Sequence, residues 1–228
     1  MKKLKIQKFH FQLIKIRAFE LKKFLTVEIL QFIEEHTELF SDKVQLKNIF
    51  HNEISQYSTI QLASEYGSLS ITAYGKEEIS SVKKWWKAYK KIKKIATDNS
   101  LVVKETYHLQ YTKEEQTYQL RRFLVNRKKF KTLQLLQNDI EKYHAEMAKY
   151  LVSNFTPLYN VVEHWHDKDK HNVLPQIIYI KQHSNQFAVY KGKYRYGFDI
   201  IFKTKLLLPH LFRMGESTSL GYGTVEYM

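Results

Sequence analysis

Apolar and polar positions alternate from the first residues. Over residues 2–16, Leu4 and Ile6 are followed by Phe9, Phe11 and Leu13, the period-two pattern of a strand, and the phase slip at Gln7-Lys8 predicts a bulge. Between Glu20 and Glu38 the period lengthens, and Leu21, Leu25, Ile29, Phe32 and Ile33 fall on one helical face. A polar connection, "SDKVQLKNIFHNE", leads to "YSTIQLASEYGSLSITAY", two short alternating runs joined at Tyr66-Gly67 that predict a hairpin. "KEEISSVKKWWKAYKKIKKIA" then predicts a helix and "LVVKETYHLQY" a strand.

Residues 1–112 therefore carry the order β-α-β-β-α-β of a ferredoxin-like domain. A less regular second round follows over residues 113–228. "TYQLRRFLV" is strand-like, "KTLQLLQNDIEKYHAEMAKYLV" helical, and "QIIYIK" and "YRYGFDIIF" are strand-like after the loop around "HWHDKDKHNVLP". The second helix of this round is missing or reduced to the turn at "LPHLF", and a glycine-rich stretch, residues 213–224, leads into "TVEY". The expected fold class is α+β, two tandem ferredoxin-like (RRM-like) domains, the second irregular with a C-terminal glycine-rich loop.

Composition narrows the chemistry. With 37 Lys and Arg against 23 Asp and Glu, the 228-residue chain carries a formal charge of +14, and such a surface attracts polyanions. There are no cysteines, which excludes disulfides, thiolate nucleophiles and cysteine-ligated zinc, and fits a reducing cytoplasm. The basic opening "MKKLKIQKFHFQLIKI" is broken by Lys5, Lys8, His10, Gln12 and Lys15, so it lacks the apolar stretch of a signal peptide. No run reaches the ~18 apolar residues of a membrane span. A soluble cytoplasmic protein without membrane partners is expected.

The basic residues cluster. Residues 81–95, "SVKKWWKAYKKIKKI", hold seven lysines and no acid. Val82, Trp85, Tyr89 and Ile92 form an apolar stripe, while Lys83, Lys87, Lys90 and Lys94 align on another face suited to tracking phosphates. A second set, Arg121, Arg122, Arg127, Lys128, Lys129 and Lys131, stands at a strand-to-helix junction. "HWHDKDKH" offers His164, His166, Asp167, Asp169 and His171, but their spacing matches no zinc pattern and reads as an exposed loop, so no metal is expected. P-loop, HExxH and GxSxG motifs are absent, which leaves ordinary acid–base groups. His36 lies one turn beyond Phe32 and reads first as a packing residue. His51 lies in a polar connection near Lys47 and Tyr57, where imidazole is placed to shuttle a proton.

The C-terminal "LPHLFRMGESTSLGYGTV" places Gly215, Gly221 and Gly223 among Ser217, Thr218 and Ser219, and it resembles the end of the CRISPR repeat-RNA processing endoribonucleases, the Cas family numbered six of the RAMP superfamily. "YRYGFDIIFKTKLLLP", "YQLRRFLVNRKKFKTL" and "FHNEISQYSTIQLASEYGSLSITAYG" resemble further family segments in the same order, so the likeness spans both domains. Two departures stand out. The family loop carries a further glycine and a basic residue where this chain has Met214 and Glu216, and His51-Asn52-Glu53 replaces a doubled histidine around the asparagine.

The resemblance implies a metal-independent, cofactor-free endoribonuclease that cuts CRISPR repeat RNA (pre-crRNA) through the ribose 2′-hydroxyl, leaving a 2′,3′-cyclic phosphate and a 5′-hydroxyl. His51 is then the expected general acid or base, Tyr57 orients or shares proton transfer, Lys47 offsets developing charge, and His36 is the reserve. Lys83, Lys87, Lys90, Lys94, Arg121, Arg122, Arg127, Lys128 and Lys129, with Gly215, Ser217, Ser219, Gly221 and Gly223, are the expected RNA contacts. Repeat RNA is the expected partner; other CRISPR effector subunits and a second copy of the chain are further candidates. The competing readings are a non-cutting RNA-binding subunit of a CRISPR ribonucleoprotein and a general nucleic-acid or membrane-surface binder.

Overall fold

The computed structural model describes residues 3–40, 46, 50, 59–96, 99–108, 111–154, 175–188, 193–209, 212–218 and 222–228. The chain divides into two compact units, one built on Leu4–Tyr107 and the other on His108–Thr218 with Tyr222–Met228.

In the first unit, β1 (Lys3–Lys15) is followed by a helical run, α1, that passes through Ala18–Glu20, Leu21–Phe24, Leu25–Gln31 and Phe32–Glu35. Its middle stretch, Leu25–Gln31, is wound as a π-helix. β2 (Ile60–Glu65), β3 (Ser68–Tyr74), α2 (Lys76–Ile92) and β4 (Ser100–His108) complete the unit. The antiparallel sheet order is β2-β3-β1-β4, the ferredoxin-like arrangement. β2 and β3 are joined at Tyr66 and Gly67, both at positive φ (50° and 73°), as a tight hairpin turn requires. Helices cover the sheet with aromatic side chains. Phe11 meets the Trp86 ring at 4.7 Å and Trp85 edge-on at 5.9 Å. Trp85 Nε1 donates to the Glu28 carbonyl at 3.1 Å, inside the π-helical stretch, and ties α2 to α1. The opposite face of the sheet is polar but buried at Gln61, Ser68, Ser70 and Thr72.

The expected bulge at Gln7-Lys8 is not there. β1 pairs with β3 without a break from Ile6 to Phe11, and the irregularity falls between Phe11 and Lys15. The sequence phase slips because Leu4 and Ile6 are buried on one face, and Phe9 and Phe11 on the other. Ile92 also leaves the expected stripe: it is 40% exposed at the end of α2, and Trp86, 7% exposed, takes its place.

The second unit contains β5 (Tyr111–Val125), α3 (Arg127–Leu136), α4 (Ile140–Ser153), β6 (Gln176–Ala188), β7 (Tyr194–Leu206) and β8 (Thr224–Tyr227). Its sheet order, β6-β7-β5-β8, repeats that of the first unit. The single helix expected over 131–152 is two. Asp139 accepts from the Lys142 amide and starts α4 anew, because a short carboxylate satisfies a helix start better than it continues a helix. Among the described residues no helix lies between β7 and β8. The core brings Phe123, Phe198, Phe202 and Phe212 together with Leu133, Met147 and Leu151, all fully buried. Beyond β7, the Leu208 amide donates to the Tyr118 hydroxyl at 3.1 Å and fixes the "LP" step to β5. No described helix is long and apolar enough to cross a membrane.

Candidate nucleic-acid interface

The α2 surface divides by chemistry. Val82, Trp85, Trp86, Ala88 and Tyr89 are buried, whereas Lys83, Lys84, Lys87 and Lys91 are exposed; Lys94, expected on the same face, lies beyond the helix end at Ile92, where its φ of 53° turns the chain out of the helix. Lys90 is half-buried with its ammonium 5.6 Å from the Trp86 ring centre, and Lys93 pairs with Glu28 Oε2 at 3.3 Å. The same Glu28 carboxylate accepts from the Tyr89 hydroxyl at 3.0 Å. Burial, with the hydrogen bond to Glu28 and its charge, pushes the Tyr89 hydroxyl well above its ordinary range and keeps it protonated. The helix therefore anchors through aromatic rings and leaves a cationic outer face.

The second basic set surrounds the junction of β5 and α3. Arg121, Arg122, Arg127, Lys128 and Lys131 are exposed, and Lys129 is half-buried with its ammonium 5.1 Å from the Tyr150 ring centre. Asn126 caps α3 by accepting from the Lys129 amide at 3.0 Å. The first turn of α3 has no acid, although an acidic side chain there would complement the helix dipole. Cations at the positive end oppose helix stability and favour an external anion.

The described residues of the glycine-rich loop, 213–218 and 222–224, are hydrogen-bonded within the second unit. The Gly215 amide donates to Asn154 Oδ1 at 2.8 Å, and the Gly223 amide to the Arg122 carbonyl at 3.1 Å. Met214 and Glu216 amides donate to the carbonyls of Gly223 and Leu124. These four amides, those of Gly215 and Gly223 among them, are engaged internally and shape the loop. Met214 and Glu216 each have a structural place: Met214 is fully buried, and Glu216 pairs with Arg195 and accepts from Asn126 Nδ2 at 2.9 Å. Ser217 occupies the left-handed region at φ 64°. Ser219 and Gly221 lie outside the described residues.

Lys47, His51 and Tyr57 also lie outside the described residues, as do the histidines and aspartates of residues 164–171. His36 ends α1 and packs its ring 4.5 Å from Phe32, with Glu38 Oε1 at 3.8 Å from Nδ1. Among the described residues no group of three or more acidic or histidine side chains is arranged to hold a metal ion.

One pair has no signal in the sequence. His183 on β6 and Asp199 on β7 are brought together by strand pairing, with His183 Nε2 2.9 Å from Asp199 Oδ1. Asp199 also accepts from the Arg122 amide at 2.9 Å. Burial alone would raise the Asp199 pKa; hydrogen bonds from His183 and Arg122, with the charges of His183 and Lys181, outweigh it and hold the carboxyl below its usual range.

A crystal structure of the CRISPR RNA processing endoribonuclease Cas6b superposes with a TM-score of 0.65, covering 99% of this chain and 100% of that chain. The fold is the one that structure has. Sequence identity between the two is 16%. A second Cas6b crystal structure gives a TM-score of 0.61 at 16% identity, with 99% and 100% of the two chains covered. Csf5, a CRISPR-Cas type IV Cas6 crRNA endonuclease, gives 0.58 at 12% identity, with 99% of each chain covered. No family model and no curated protein matches the sequence. The likeness to the Cas6 structures thus lies in the backbone arrangement over the whole length, with few shared side chains.

Proposed function

We propose that this protein is a metal-independent endoribonuclease that cleaves CRISPR repeat RNA. The observation that carries the reading is the repeated ferredoxin-like sheet order in a chain coextensive with the Cas6b endoribonuclease structure at a TM-score of 0.65. The exposed lysine face of α2 and the basic junction at α3 support RNA as the substrate.

The reaction needs only groups this chain carries. A base removes the 2′-OH proton, O2′ bonds to the adjacent phosphorus, and the P–O5′ bond breaks as an acid protonates the leaving oxygen. The products are a 2′,3′-cyclic phosphate and a 5′-hydroxyl. We assign acid or base catalysis to His51, with Tyr57 orienting it and Lys47 offsetting charge on the phosphorane. His36 is the reserve, although its contact with Phe32 gives it a packing role as well.

Purified protein with its repeat RNA in EDTA tests the reading, alongside a substrate carrying deoxyribose just upstream of the cut. Cleavage of the all-ribose RNA alone, ending in a cyclic phosphate, is expected, and His51→Ala should slow it by roughly 10²–10⁴-fold. A requirement for added magnesium would overturn the mechanism. Tight binding without cleavage would make the protein a non-cutting RNA-binding subunit.

A further inference from the structure

Between Leu120 and Phe123, both buried in the core, β5 carries an extra residue. Leu120 pairs with Ile200 and Phe123 with Phe198, so three steps on β5 face two on β7. Arg121 and Arg122 consequently both stand exposed at the bulge. Arg122 takes φ 53°, a left-handed conformation that few residues other than glycine or asparagine adopt.

The bulge is secured from three sides. The Arg122 carbonyl accepts from the Gly223 amide at 3.1 Å, and its N–H, removed from the strand ladder, donates to Asp199 Oδ1 at 2.9 Å. His183 Nε2 holds the same oxygen at 2.9 Å. Lys181, the register partner of Asp199, is exposed beside it, and Arg121 is paired with Glu226 at 3.1 Å. Glycine or asparagine would fill the left-handed position with less strain. The chain instead places an arginine there and buttresses it with side chains from two other strands, the pattern of strain held for function.

We propose that this bulge presents Arg122 to a backbone phosphate of bound RNA, with Asp199 and His183 as positioning residues and Lys181 as a second cation. The proposal rests on the RNA-cleaving reading above and adds to it a built contact at the β5 bulge. Arg122 supplies the forked donor, and Asp199 fixes the backbone from which it projects.

The test is fluorescence anisotropy of the full chain with fluorescein-labelled repeat RNA over a potassium chloride series. Arg122→Ala should weaken binding about tenfold at low salt and lower the salt slope by about one. Asp199→Ala should do the same although the guanidinium is intact, and the double variant should bind no more weakly than either alone. Asp199→Asn keeps the acceptor oxygen and should bind as the wild type does. If Asp199→Ala does not fold, His183→Ala replaces it, expected to lose about threefold in affinity. An unchanged slope in Arg122→Ala, or additive losses in the double variant, would overturn the proposal while leaving the nuclease reading in place. A wild type that does not bind repeat RNA would overturn both.

Discussion

At the scale of single residues, spacing in the sequence marked positions whose roles depend on atoms far along the chain. Gly223 takes φ 72°, and a Cβ there would lie 1.7 Å from the Met214 carbonyl oxygen; Gly67 takes φ 73° with nothing within 4 Å. Their backbones are alike and their surroundings are not. Gly67→Ala should therefore cost about 1–2 kcal/mol from the left-handed backbone alone. Gly223→Ala should cost more, on the order of 3 kcal/mol, since a backbone oxygen must also move. Urea midpoints of the two variants measure the difference. Asp199 gives a pH dependence of definite sign. Its folded pKa is depressed, so its contribution is complete above the unfolded value of about 3.9 and is lost as pH falls through the lower folded value. Asp199→Asn should flatten the acid limb of stability against pH relative to the wild type, as urea denaturation across that window would measure. Parallel limbs would rule out this role. His183 and Asp199 stand 16 positions apart on different strands, so no local motif announces them. His36 and His51 have informative neighbours along the chain, whereas His183 acquires its partner only through the register of β6 against β7.

Elements were more legible than sites, because each carries its own period. α2 shows this most fully: its aromatic side predicts burial, and the structure buries Trp85, Trp86 and Tyr89 while leaving Lys83, Lys84, Lys87 and Lys91 exposed. Replacing Lys83, Lys84, Lys87 and Lys91 by Gln should leave the melting temperature nearly unchanged, since exposed substitutions act within about 0.5 kcal/mol. The slope of log affinity for RNA against log salt should fall by up to about 3. Circular dichroism and anisotropy separate these effects, and an unchanged slope would remove α2 from the interface. Where the element reading failed, the local pattern had two physical meanings. A parity change in β1 looks the same whether it comes from an inserted residue or from a strand buried on both faces, and the structure shows the latter. The break between α3 and α4 was written in the sequence as Asp139, but the apolar period on either side outweighed it.

At the scale of the molecule, two units repeat one strand order, and the charge of +14 spans a chain whose backbone follows the Cas6b structures end to end. The sequence by itself determined the order of the strands in both units, the positions of the first unit's helices and the cationic character of the surface. Periodicity and composition are properties of adjacent residues, and they survive in the fold because burial follows them. The tertiary structure decided the rest. Strand pairing placed Asp199 against the Arg122 amide, packing committed the Gly215 and Gly223 amides to Asn154 and Arg122, and the two faces of β1 found separate burial. Each of these depends on which distant groups share a hydrogen bond or a core. That information arises from long-range contacts, and no window along the chain contains it.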